Sequence, residues 1–157
     1  MKLFDRAKVA GYIPDVVLVD GSGVLHPRHC GSASHLGVVA NIPTIGITKS
    51  LIQWESNEVS TSLRLCINKR VKEELGKELK RHSVVMALPM NRHDSPPLGV
   101  VVCPFGTRKP IFVSPGHRIS LCSAAQVALR CCKHRIPEPI RLADIESRRS
   151  AREMKLS

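Results

Sequence analysis

Three side chains have the types and spacing to do chemistry together: Asp20, His26 and Lys49. Asp20 ends the apolar run Asp15–Asp20 (DVVLVD), and Gly21, Ser22 and Gly23 follow it directly. In open α/β sheets, ligands bind beyond the carboxyl ends of the strands, which is where this carboxylate would stand. Hard divalent cations such as Mg²⁺ take oxygen ligands, typically one or two carboxylates plus substrate phosphate oxygens. Gly21 and Gly23 would let backbone or substrate come close. His26, just before Pro27, would orient water or protonate a leaving oxygen. Lys49, at the end of a second apolar run, suits a phosphate on the same edge of the sheet. The plainer reading of Asp20–Gly21 is a turn with a capping carboxylate.

These residues need elements to position them. DVVLVD is short, β-branched and uninterrupted, which predicts a strand buried on both faces. Cys30–Ile42 (CGSASHLGVVANI) is rich in small residues and reads as a helix, and Thr44–Lys49 (TIGITK) reads as a second strand. Strand, helix and strand in this spacing make a βαβ unit with a parallel pair. Residues 53–62 are polar and carry little pattern. Leu63–His82 is charged with partial helical period, Glu73–Lys77 forming a supportive i,i+4 pair. Ser83–Leu88, Leu98–Cys103 and Pro110–Ser114 read as three more strands separated by turn chemistry. Ser120 is placed to cap a helix running to about Lys133, with Leu121, Ala125 and Leu129 on one face. The segment IPEP breaks that helix, and a short terminal one follows. The expectation is one α/β domain over residues 1–157, with 53–82 a variable insertion and 147–157 a basic tail.

Charge is the strongest compositional signal. Twenty-four Lys and Arg against thirteen Asp and Glu give a net charge of +11. An excess of this kind suits a polyanionic partner, because each neutralised phosphate releases condensed counterions. The six cysteines show no C-x-x-C pair, and Cys131–Cys132 with His134 are a weak cue for metal, so the expectation is buried free thiols in a reducing compartment. The amino-terminal stretch has no apolar signal core, and no apolar run is long enough to span a membrane. A soluble protein of the cytoplasm or nucleus, nucleolus included, is expected, with no membrane partner.

The stretch PDVVLVDGSGVLHPRHCGSASHLGVVANIPTIGITKSL resembles the endonuclease V family, whose motif V-D-G-x-G-x-x-H-P-R leads to A-S-H-x-G and then P-T-I-G-V-x-K. A second block, PIFVSPGHRISL followed by RIPEPIRLADI, is similar to the carboxyl-terminal part of its animal members. The two blocks cover residues 12–52 and 110–146. The resemblance implies a ribonuclease-H-like mixed sheet with flanking helices. It also implies an endonuclease that uses Mg²⁺, or Mn²⁺ in its place. Its substrate would be inosine-containing single-stranded RNA or deoxyinosine DNA, cut at the second phosphodiester bond 3′ to the inosine. By the same resemblance Asp20 matches the metal-binding aspartate, His26 the active-site histidine and Lys49 the lysine near the scissile phosphate. Gly23 and Gly46 fall where the family has glycines bordering the base pocket, and His117 and Arg118 in a motif linked with nucleic-acid binding; Gly21 is expected to bind substrate and Arg28 to contact phosphate. For His35, in the helix motif, structural packing is expected ahead of direct chemistry.

The family also has an aspartate on a first strand and a glutamate before the strand of Asp20. Asp5 and Asp15 are the only acids ahead of Asp20 here, and Asp15 would lie roughly 16 Å from it along a strand. The chain thus resembles the carboxyl-terminal portion of the family, lacking the amino-terminal strands and leaving a sheet edge exposed. Residues 1–157 alone are expected to have little or no endonuclease activity. Three hypotheses follow: an inosine-specific endonuclease, a truncated relative that only binds nucleic acid, and a basic scaffold with no nucleic-acid role.

Overall fold

The computed structural model describes residues 2–50, 57–75, 83–88, 96–104, 107 and 109–156. An amino-terminal helix, α1 (Lys2–Val9), leads into β1 (Val17–Asp20), α2 (Ser32–Ala40) and β2 (Thr44–Thr48). The long helix α3 (Asn57–Leu75) precedes three strands, β3 (Ser83–Leu88), β4 (Gly99–Cys103) and β5 (Ile111–His117). Helices α4 (Leu121–Arg130) and α5 (Glu138–Leu156) complete the order.

The strands form one sheet in the order β1-β2-β5-β4-β3. β1 and β2 are parallel, as the βαβ reading expects, with Val17 opposite Thr44 and Asp20 opposite Ile47. The remaining neighbours are antiparallel. A mixed sheet flanked by helices is the expected ribonuclease-H-like α/β class. Alternation along β2 divides the two faces. Ile45 and Ile47 point into a core with Val100, Val102, Ile111 and Val113, covered by Ala124, Ala125 and Ala128 of α4 and Ile140 of α5. The opposite face packs Val101, Cys103 and Phe112 against Ile67 and Val71 of α3, with Leu25 from the loop after β1.

Several expectations need correction. β1 is not buried on both faces: Val17, Leu18 and Val19 are only half-buried, because among the described residues β1 is hydrogen-bonded to a strand on one side only. The polar stretch at 57–62 belongs to α3, whose helical period is carried by a narrow stripe ending in Ile67 and Val71. The pairing of Glu73 with Lys77 lies outside the described residues. β5 continues past Ser114 to His117, with a register irregularity opposite Thr44 and Ile45. Ser120 does cap α4, its Oγ accepting the Ser123 amide at 3.1 Å, but the helix ends at Arg130 and its buried stripe is Ala124, Ala125 and Ala128. The terminal helix is long, and the basic residues from 147 onward lie on it, tied by Arg148–Asp144 and Arg149–Glu153 pairs at i,i+4 spacing. Not all thiols are buried: Cys103 and Cys132 are, whereas Cys30, Cys66 and Cys122 are exposed. Among the described residues no helix is long and apolar enough to cross a membrane.

Candidate functional site

Parallel pairing of β1 with β2 brings their carboxyl ends to the same edge. The ladder sets Asp20 opposite Ile47, so Lys49 lies two residues beyond that rung. Its Nζ donates to Asp20 Oδ2 at 2.8 Å, and both side chains remain about half exposed. The chain then turns: the Gly21 amide donates to the Ile47 carbonyl at 3.0 Å, carrying the β1 end across β2.

The segment Gly21–Gly23 next lies flat on the sheet, and glycine at two places makes this possible. A Cβ on Gly46, in the middle of β2, would collide with Gly23 N and the backbone of Gly21 and Ser22. A Cβ on Gly23 would collide with the Pro115 carbonyl of β5. With both side chains absent, the Gly23 amide donates to Ser114 Oγ at 2.9 Å and the Val24 amide to Pro115 O at 2.8 Å. The Ser22 and Gly23 carbonyls accept the Ala33 and Gly31 amides at 3.0 and 2.9 Å, tying the loop to the start of α2. Leu25 then anchors it in the core.

His26 sits in this anchored loop. Its Nδ1 accepts the Arg28 amide at 3.2 Å, which places the ring proton of the neutral imidazole on Nε2. His26, Arg28 and His35 line one cavity of about 470 Å³ with Cys30, Gly31 and Ser32. His35 is exposed on α2 and faces this cavity, contrary to the packing role expected of it.

His117 and Arg118 lie elsewhere. His117 pairs with Thr44 at the start of β2, the opposite end from Lys49, and its side chain rests against Gly37 of α2. Arg118, in the left-handed region at φ 50°, donates from Nη1 to Asn41 Oδ1 at 3.1 Å. The fold therefore gathers Asp20, Gly21, Gly23, Gly46 and Lys49 and sets His26 and Arg28 on the adjoining loop; His117 lies about a strand length from Lys49, roughly 13 Å for four residues, although Gly116 just before it borders Gly23.

Two residues escaped the sequence reading. Ser114 is buried and fixes Gly23, and Arg135 donates from Nη2 to the carbonyls of Lys49 and Pro110 at 3.0 and 3.1 Å. Arg135 thereby clamps the end of β2 to the start of β5. Nothing in local sequence pattern signals a contact across 86 residues; only the arginine of RIPEP, following a helix end, hinted at a fixed position.

A divalent cation does not fit the described residues as they stand. They contain no group of three or more His, Cys, Asp or Glu able to hold a metal, and the Oδ2 of Asp20 is engaged by Lys49. One carboxylate leaves coordination geometry unfixed. The vicinal Cys131–Cys132 pair makes no metal site either: Cys132 Sγ donates to the Ala128 carbonyl at 3.2 Å within buried surroundings. Burial, followed by the charges of Cys131 and Glu138, pushes its thiol up to about 11.

The family model for Endonuclease V matches residues 1–145, well beyond the two blocks that carry the resemblance. The chain is 40% identical over 147 residues to Endonuclease V of Mus musculus, covering 91% of this chain and 39% of that protein. The crystal structure of the catalytic domain of human Endonuclease V superposes with a TM-score of 0.75 at 34% identity, over 98% of this chain and 59% of that one. Endonuclease V of Ciona intestinalis, solved with a 24mer DNA containing an inosine followed by a ribo-adenosine, superposes with a TM-score of 0.77 at 36% identity, over 98% and 61%. The chain spans about half the length of the curated relatives it matches. Family enzymes generally use a divalent metal. With the family's match running through the glycine loop, Asp20 and Lys49, the chain belongs to the endonuclease V family.

Proposed function

We propose that the protein is an endonuclease acting on inosine-containing nucleic acid, single-stranded RNA or deoxyinosine DNA, and cutting the second phosphodiester bond 3′ to the inosine. The observation that carries this reading is the 2.8 Å Lys49–Asp20 pair at the joined ends of two parallel strands, beside the cradle of Gly23 and Gly46. Lys49 draws a phosphate to this corner and neutralises charge on it. Gly21, Gly23 and Gly46 let the loop after β1 seat tightly on β2, β5 and the start of α2, and that anchored loop forms a fixed border for the base. His26, with Nδ1 held by the Arg28 amide, presents its other ring nitrogen to exchange a proton. Arg28 contacts phosphate from the same loop. Asp20 offers one carboxylate at this corner, fewer ligands than Mg²⁺ or Mn²⁺ needs for a fixed geometry. His117 and Arg118 serve binding or shape the far end of β2.

A second reading, binding without cutting, is favoured by one observation: the described residues hold no group of three or more His, Cys, Asp or Glu able to bind a metal, at Asp20 or elsewhere. The 157-residue chain alone is accordingly expected to cut slowly. A single-turnover assay separates the two, with protein in excess over inosine-containing RNA or DNA, with and without Mn²⁺. Inosine-dependent product lost in Asp20→Ala supports the nuclease. Binding with a steep salt slope and no product supports the second reading.

A further inference from the structure

Beside Lys49, a groove of about 310 Å³ opens between α3 and the start of β5. Lys49, Arg64, Lys109 and Arg135 line it, with Asn68 beside Arg64 and Ile67 and Phe112 as its apolar floor. These cations come from four separate parts of the chain: the end of β2, α3, the approach to β5 and the approach to α5. No carboxylate is among the described lining residues. Gathering like charges in a concave, partly apolar site costs folding energy and focuses a positive potential. Such an arrangement is stabilised when an anion enters.

Arg135 gives the groove a fixed wall. Its Nη2 is held by the Lys49 and Pro110 carbonyls, and its Nε is buried with no partner among the described residues. Arg64 and Lys109 are exposed, and their side chains have reach to close over a ligand. Lys49 belongs both to this groove and to the Asp20 corner. An anion in the groove is therefore adjacent to any phosphate held at Asp20.

We infer that this groove carries the phosphodiester backbone of the bound strand on one side of the cut, with Arg64 and Lys109 as sequence-independent phosphate contacts. The inference rests on the nucleic-acid reading above and extends it to residues outside the family motifs that carry that reading. A connected chain of phosphates fits four cations spread along a groove better than one free phosphate ion does. The contacts are to backbone alone, so they set affinity and register and leave inosine preference to the anchored loop after β1.

The test is fluorescence-anisotropy binding of the 157-residue chain to a labelled inosine-containing single strand across a salt series. Arg64→Gln, Lys109→Gln and Arg70→Gln are compared. Arg70 lies on α3 about 240° around the helix from Arg64, and it does not line the groove. Arg64→Gln and Lys109→Gln are each expected to weaken binding about three- to tenfold near 0.1 M salt and to reduce the salt slope by about one. The loss should be equal for inosine and guanosine strands, with Arg70→Gln unchanged. Inorganic phosphate serves as the competitor. Its displacement of the strand only at tens of millimolar is expected, whereas tight phosphate binding untouched by the strand would overturn the inference. Unchanged slopes in both groove variants, or an equal loss in Arg70→Gln, would also overturn it, while leaving inosine-dependent cutting intact. Absence of wild-type binding would refute the nucleic-acid reading and the groove together.

Discussion

Lys49 Nζ and Asp20 Oδ2 meet at 2.8 Å across the ends of two parallel strands, yet both side chains stay about half exposed. An ion pair in that setting contributes little to stability, about 0 to 1 kcal/mol. It is therefore readily exchanged: a phosphate entering the corner replaces the carboxylate as the partner of Lys49. In the absence of divalent metal, Asp20 repels that phosphate. With EDTA present, Asp20→Asn is expected to bind a single-stranded oligonucleotide about two- to fivefold more tightly, and Lys49→Ala about tenfold more weakly. Anisotropy titrations of both variants check the opposite signs.

Gly46 and Gly23 let the loop after β1 lie on the sheet. Gly46→Ala places a methyl against Gly23 N and the Ser22 backbone, where no flexible side chain can yield. The loop must lift or the strand must shift, at a cost of about 1 to 3 kcal/mol. A lower urea midpoint is expected together with loss of discrimination between inosine and guanosine strands, while non-specific binding persists.

Arg135 joins β2 to β5 through two carbonyls just beyond the ladder. Hydrogen bonds from a charged donor contribute about 1.5 to 3 kcal/mol. Arg135→Ala should lower stability by an amount in that range and weaken strand binding, because Lys49 loses its backbone anchor. Arg135→Lys retains charge without the planar fork and should recover binding more than stability. Urea unfolding and binding measured on the same preparations separate the two effects.

Cys132 has a sign-defined pH signature. Its thiol is pushed up to about 11 in the fold, from 9.0. Between those values the unfolded chain loses the proton and the folded chain keeps it, so stability is fully present below about pH 9 and lost as pH rises toward 11. Cys103, raised by burial, adds in the same direction. Cys132→Ala should flatten the alkaline decline in thermal midpoint. At pH 8 a thiol reagent should modify exposed Cys30, Cys66 and Cys122 within the time that leaves Cys103 and Cys132 untouched.

Much of the site was legible because its parts are local. A β-branched run, a glycine turn, a small-residue helix and a second run define a βαβ unit, and that unit alone delivers Asp20 and Lys49 to one edge. The helix α3 was less legible at its start, since residues 57–62 offer too few apolar positions to display a period. β1 looked like a strand buried on both faces because Val17–Val19 are uniformly apolar; composition does not say whether a second neighbour is present. His117 was expected in a nucleic-acid-binding motif; that it stands opposite Thr44, at the other end of β2 from Lys49, is decided by long-range register that no local pattern displays. Arg135 was missed for a related reason, as its role exists only through contacts distant in sequence.

The most direct measurement is single-turnover cleavage of an inosine-containing single strand by the 157-residue chain in Mn²⁺. The Asp20–Lys49 corner predicts slow product at the second phosphodiester bond 3′ to the inosine, none from the guanosine strand, and none after Asp20→Ala. Product that is independent of inosine, or that survives Asp20→Ala, or its absence in the wild-type chain while the strand is bound, would contradict the assignment of this corner as a cleavage site.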